Sequence, residues 1–235
     1  MPIRHHTSLA LTMAVAGTLL LAATGCSKDV PALKFGAAKP SGAKLAARSP
    51  ANGSLPLAEW PNACTVLSDQ EIEAVLPQAK DVKRQPIKVT ILNFDPLSEA
   101  EPGTTGDVPT GGCKFTFGLP DKYESDGNSN IQVTFTAVAD TPLVRKHYEE
   151  DLADARKDAP KYKKEFRDLG TSLGPAGCHS PDLSQGDLVC YQGPYQFEVS
   201  GSSTASGVGE YPKADRNWSD KVLRQIVRTL SARMN

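Results

Sequence analysis

Along residues 68–77 the apolar positions Ile72, Val75 and Leu76 fall on one helical face. Ser68 and Glu71 stand at capping-box spacing, in which hydroxyl and carboxylate each satisfy an orphan N–H of the first turn. Leu67 and Ile72 complete a hydrophobic staple, and Pro77 stops the helix. The period then changes to two. Ile87, Val89 and Ile91 alternate with polar residues, continuing to Phe94; Cys113, Phe115 and Phe117 share one face of a second strand. Ile131, Val133 and Phe135 share one face of a third. A second helix is predicted from Thr141-Pro142, a cap and first-turn pair, with the stripe Val144, Tyr148, Leu152 and Ala155 closing at Pro160. A short strand follows near residues 166–169, then two strands, 188–191 and 195–199, joined by Gly193-Pro194. The last helix, about 219–233, carries Val222, Leu223, Ile226, Val227 and Leu230.

The order α-β-β-β-α-β-β-β-α implies an α+β fold, a largely antiparallel sheet packed against helices. Each half has a cysteine-bearing strand followed by one of alternating large apolar residues, an echo too weak to establish a duplication. The 235 residues are 39% hydrophobic and 23% charged, enough for one ordinary domain or two small ones. A net charge of −1 supplies no basic field for nucleic acid.

The amino terminus follows another logic. Arg4 precedes a largely apolar run over residues 9–23, too short for a spanning helix of about 20 residues and suited to the core of an export signal. Ala22, Ala23, Thr24 and Gly25 lead into Cys26. This resembles a bacterial lipoprotein signal, in which a small residue precedes the cysteine that becomes a diacylglyceryl thioether. Ala23 stands where that signal favours Leu. The resemblance implies cleavage after residue 25 and lipidation of Cys26 with fatty acyl chains such as palmitate. It also implies anchorage at the extracytoplasmic face of the cell membrane; two acyl chains suffice for stable anchoring.

Residues 26–58 are rich in Ala, Pro, Gly, Ser and Lys and lack periodicity, so they read as the lipidated cysteine and a flexible tether. A flexible chain of that length reaches roughly 30 Å. Residues 59–235 then form a single extracytoplasmic domain. Four cysteines remain after Cys26, an even number that reads as two disulfides in an oxidising compartment.

The run Ala63-Cys64-Thr-Val-Leu67-Ser-Asp-Gln-Glu71-Ile72 resembles an actinobacterial lipoprotein family catalogued as a domain of unknown function. Gly112-Cys113-Lys-Phe115, Leu188-Val-Cys190-Tyr191 and the terminal amphipathic helix extend the likeness over about residues 60–235. It implies a lipoprotein location and a two-disulfide α/β sandwich-like domain, and brings no reaction. A looser similarity, to extracellular sensor domains of actinobacterial receptor kinases, implies ligand sensing. Of the three pairings four cysteines allow, the one expected is Cys64–Cys113, tying the first helix to the sheet, with Cys178–Cys190 closing a short loop. A metal site would need paired C-x-x-C spacing, which the cysteines lack, and no cofactor is implied.

Several motifs suggest catalysis. Gly170-Thr-Ser172-Leu-Gly174 matches a G-x-S-x-G nucleophile elbow, but Gly174-Pro175 disfavours the helix that must follow, and His179 is the only later histidine. A turn between strands is the reading. Cys178 and His179 are adjacent and on an extended segment point to opposite faces, while His147 reads as a partly exposed helix residue. Residues 124–130 lack the terminal ligands of a calcium loop and read as a hairpin loop. The loop 95–112 carries Asp95, Glu99, Glu101 and Asp107; residues 201–209 read as a mobile rim.

The function expected is therefore a non-enzymatic ligand-binding or sensing module, tethered to the membrane through its lipid anchor, with no nucleic-acid partner. Tyr191, Tyr195, Tyr211 and Trp218 are the candidate ligand contacts, for a small molecule or an envelope protein. The alternatives are a structural or assembly partner of another envelope protein, and a hydrolase using Ser172 or an acidic pair.

Overall fold

The computed structural model describes residues 30–45, 55–92, 105–122, 126–210 and 213–234. The expected export signal, Cys26 and Tyr211 lie outside the described residues. Within them a seven-stranded antiparallel sheet forms from two meanders. The first runs β1 (Lys80–Leu92), β2 (Thr105–Gly118) and β3 (Ser129–Val138). The second runs β4 (Arg167–Asp168), β5 (Gly177–Ser180), β6 (Leu188–Gln192) and β7 (Tyr195–Ser203). The meanders join where β3 pairs with β7, giving the order β1-β2-β3-β7-β6-β5-β4. The expected α+β class, antiparallel sheet and two disulfides are present, with one strand more than the pattern predicted. That strand is β5, whose Gly-Cys-His-Ser has no apolar alternation; pairing and a cross-strand disulfide hold it.

Period-two patterning makes the two faces of the sheet unlike. Phe115, Phe117, Ile131, Val133, Phe135 and Phe197 are all buried on one face. Helix α1 (Asp69–Val75) packs against the last part of the carboxy-terminal helix, which covers that face. The latter begins at Lys213, earlier than its stripe suggests, as α3 (Lys213–Trp218). A π turn over Ser219–Leu223 follows, then α4 (Arg224–Met234). Trp218 stacks on Phe117, and Ser219 donates to the Gly186 carbonyl, so the π turn sits where the helix meets the β5–β6 loop. On the other face α2 (Thr141–Lys161) lies over β6 and β7. Its cap is Asp140 rather than Thr141: the carboxylate accepts the Leu143 N–H and is the better partner for the positive helix end. Helix α2 ends one residue beyond Pro160.

Ser68 and Glu71 form the predicted capping box. Cys64 pairs with Cys113, and Cys178 with Cys190, which stand opposite one another on β5 and β6. Gly193, at φ 53°, opens the tight β6–β7 turn as expected.

Composition reads residues 26–58 as a free tether, but residues 30–45 lie along the domain. The Gln78 side chain brackets the strap by accepting from Lys34 N–H (2.7 Å) and donating to the Ala32 carbonyl (3.3 Å). Leu33, Phe35 and Leu45 pack on the core, and the Gly36 N–H donates to the Val75 carbonyl at 2.8 Å. A Cβ at Gly36 would collide with the Ala74 carbonyl oxygen, so glycine permits this approach. Ser41 and Gly42 each donate an N–H to Glu71 Oε1 at 3.0 Å. Arg233 completes the knot, reaching Glu71 Oε2 at 3.2 Å, the Ala43 carbonyl at 2.9 Å and the Val66 carbonyl. Three scattered apolar residues carry no period, yet each fills a notch in a surface already built.

Candidate functional site

The α2 side of the sheet holds the polar chemistry of the molecule. Across β1, β2 and β3 the register aligns Lys83 with Thr116, Gln85 with Lys114, Lys114 with Gln132 and Thr116 with Asn130. Ser200 and Ser202 continue the row on β7, where the Asn130 amide donates to Ser202 Oγ at 3.1 Å. These side chains are exposed or half-buried, while on β2 and β3 their neighbours on the other face are buried.

Where α2 covers the sheet, three rings stack around a histidine. Tyr148 lies 4.6 Å from Tyr191 and 5.3 Å from His179 between ring centroids, and Phe166 lies 6.1 Å from His179. Gly177 makes room, since a Cβ there would press into Tyr148 and Tyr191. His179 is 1% exposed and its Nδ1 has no hydrogen-bond partner. Burial lowers its pKa against the opposing charges of Asp151 and Asp168, with Arg156 adding to the depression, so the ring is neutral. Burial, then the Asp168 charge, pushes the Tyr148 phenol well up. The ring cluster is flanked by an ion pair and a side-chain hydrogen-bond network. Arg156 meets Asp168 at 2.9 Å, and His147 Nδ1 lies 2.8 Å from Gln196 Oε1 and 3.5 Å from Asp151. Gln196 also donates to Asp151 at 2.5 Å.

A second feature borders the polar face. Asp187, just before β6, and Glu198, on β7, are half-buried carboxyls. Burial raises both; the charges of Asp182 and Asp215 raise Asp187 further, and that of Asp187 raises Glu198. Such a pair holds protons more tightly than ordinary carboxylates. Sequence reasoning missed it because Asp187 and Glu198 are 11 positions apart and meet only through the β6–β7 hairpin. Among the described residues no group of three or more His, Cys, Asp or Glu is placed to hold a metal ion.

Of the expected contact residues, the described ones, Tyr191, Tyr195 and Trp218, do not converge. Tyr191 is half-buried in the ring stack. Tyr195 is 1% exposed against Phe135, with its hydroxyl directed at the Leu45 carbonyl (3.4 Å); Trp218 is fully buried. These two rings are walls of the core, because odd positions of β7 and the inner face of the terminal helix point there. Within the segment 201–209, Ala205 and Val208 are buried and Thr204 N–H donates to the Asn128 carbonyl, while Ser202, Thr204, Ser206 and Gly207 are exposed. Asp107 belongs to β2, bonded to Lys88 and Thr90, while Asp95, Glu99 and Glu101 lie outside the described residues. Ser172 sits in the β4–β5 turn, its Oγ donating to the Leu169 carbonyl at 2.7 Å. No helix among the described residues is long and apolar enough to cross a membrane.

No protein-family model matches the chain, and no curated protein or solved structure matches it significantly.

Proposed function

We propose that this is a lipid-anchored extracytoplasmic protein whose domain binds or senses a polar ligand on the α2 side of its sheet. The Gly25-Cys26 junction behind a short apolar run supports export and lipidation, and two disulfides suit an oxidising compartment. The resemblance to actinobacterial lipoproteins points the same way. The observation that carries the binding role is the asymmetry of the sheet. One face is buried over β2 and β3; the other presents a row of amide, hydroxyl and lysine side chains that ends at α2 and at the raised carboxyls Asp187 and Glu198. A ligand rich in hydroxyl or amine groups would meet matched acceptors there.

Native mass spectrometry of the protein purified from its own host is the test. A reproducible bound mass that disappears in Glu198→Gln or Gln132→Leu supports the reading. A bound mass insensitive to both, or none at all, rejects it and favours a role in assembly with another envelope protein.

A further inference from the structure

We infer that the strap moors the domain to the bilayer in one orientation, with the pole formed by Gln78, Lys80 and the 203–208 segment facing the lipid headgroups; this rests on the lipoprotein reading above. Cys26 and Val30, the first described residue, are only four positions apart. Four residues span at most about 14 Å, against roughly 30 Å for a free tether of 32 residues. The strap then fixes direction as well as distance. Its start is held by Gln78, just before β1, and Leu33 packs against Gly207, beyond the end of β7. Its far end is held where β7 begins: Tyr195 donates to the Leu45 carbonyl, and Leu45 N–H donates to the Arg233 carbonyl at 2.8 Å. The strap therefore runs antiparallel to β7 along the domain. Strand β7, Tyr195–Ser203, separates the two poles by about 27 Å at the rise of an extended chain.

With acyl chains on Cys26, the Gln78–Lys80 pole lies within about one short extended segment of the headgroups. The pole holding Thr141 and the Gly193 turn points away. The amide- and hydroxyl-bearing sheet face then stands upright on the membrane, open from the side. The occupant of the near pole is the lipid surface itself.

The test uses the full lipidated protein reconstituted in vesicles of phosphatidylethanolamine and phosphatidylglycerol carrying a headgroup-labelled acceptor lipid. A fluorescent donor is attached through an azide-bearing residue at exposed Lys80 or exposed Thr141. Energy transfer from position 80 should exceed that from 141 several-fold. Inserting twelve Gly/Ser residues after Asp29, which leaves the domain untouched, should abolish the difference. Equal transfer from both positions in the uninserted protein, or greater transfer from 141, overturns the mooring while leaving lipidation standing. Absence of the acyl mass on Cys26 overturns both.

Discussion

Glu71 does two jobs with one carboxylate, and its substitution should reveal both. Oε2 closes the capping box, accepting from the Ser68 N–H at 2.9 Å, and also meets Arg233. Oε1 takes both strap N–H groups. Its side chain is fully buried and that of Arg233 is 7% exposed. Glu71→Gln keeps the length but turns one acceptor site into an NH2 facing only donors, and leaves Arg233 without its counter-charge. Breaking a buried pair by removing one partner costs about 3–5 kcal/mol, so a loss of about 3 kcal/mol is expected at pH 7. Urea unfolding with the disulfides intact measures it, and amide exchange at Ser41 and Gly42 should accelerate. Glu71→Leu combined with Arg233→Met should recover only the part of the loss due to the unpaired Arg233 charge, since the Ser41, Gly42 and Ser68 N–H groups still lack their acceptor. The pH dependence has a definite sign. Burial raises the Glu71 pKa, but the Ser68, Ser41 and Gly42 N–H groups and Arg233 outweigh it and hold the carboxyl below its ordinary 4.5. The contribution is therefore fully present above about pH 4.5 and lost as pH falls through the lower folded value. A Glu71→Gln loss below about 1 kcal/mol at pH 7 would refute the reasoning, since a buried acceptor of five donors cannot be dispensable.

Replacing Cys178 and Cys190 by Ser together should destabilise the protein by about 3 kcal/mol, and the Cys64/Cys113 pair by about 4 kcal/mol, following closed loops of separation 12 and 49; urea midpoints under identical conditions give the comparison, and a reversed order would contradict it. His179 is held neutral in the fold by burial, so its contribution to stability should be fully present above pH 6.5 and decline as pH falls from there. His179→Phe should flatten that decline, which unfolding measured between pH 7 and 5 would show; an unchanged slope would place the titration elsewhere.

The elements that obey a period were legible in the sequence, and the contacts that ignore one were not. Helix α1 could be located by Ser68 and Glu71 because a capping box is local chemistry, and β2 and β3 by their alternating Phe, Ile and Val. Both disulfides form as expected. Strand β5 escaped because four residues held by a partner strand need no pattern of their own. Trp218 and Tyr195 read from the sequence more readily as core or wall than as contact surface, and register and helix phase place them in the core. The acid pair and the ring stack were invisible for a different reason. Tyr148 and His179 are 31 positions apart, and only the packing of α2 on the second meander brings their rings together.

The strap is the sharpest departure from a compositional reading, and it changes where the folding unit begins. A segment rich in Ala, Pro, Gly and Lys would bury too little to repay its own ordering. Here the domain supplies the missing terms: notches for Leu33, Phe35 and Leu45, and the paired acceptors of Glu71. Each apolar side chain contributes on the order of 1–2 kcal/mol by partial burial, offset by the entropy of fixing the chain around it. What tips the balance is the set of polar contacts, for without the strap Glu71 and Arg233 lose the Ser41, Gly42 and Ala43 partners. Two truncations separate the possibilities. A protein starting at Val30 should retain the full unfolding midpoint, whereas one starting at Glu59, where composition places the domain boundary, should unfold at lower urea. It should also expose the apolar seam along α1 and α4 to a hydrophobic dye. Equal midpoints for the two would mean that the strap merely rests on the surface, and the boundary drawn from composition would stand.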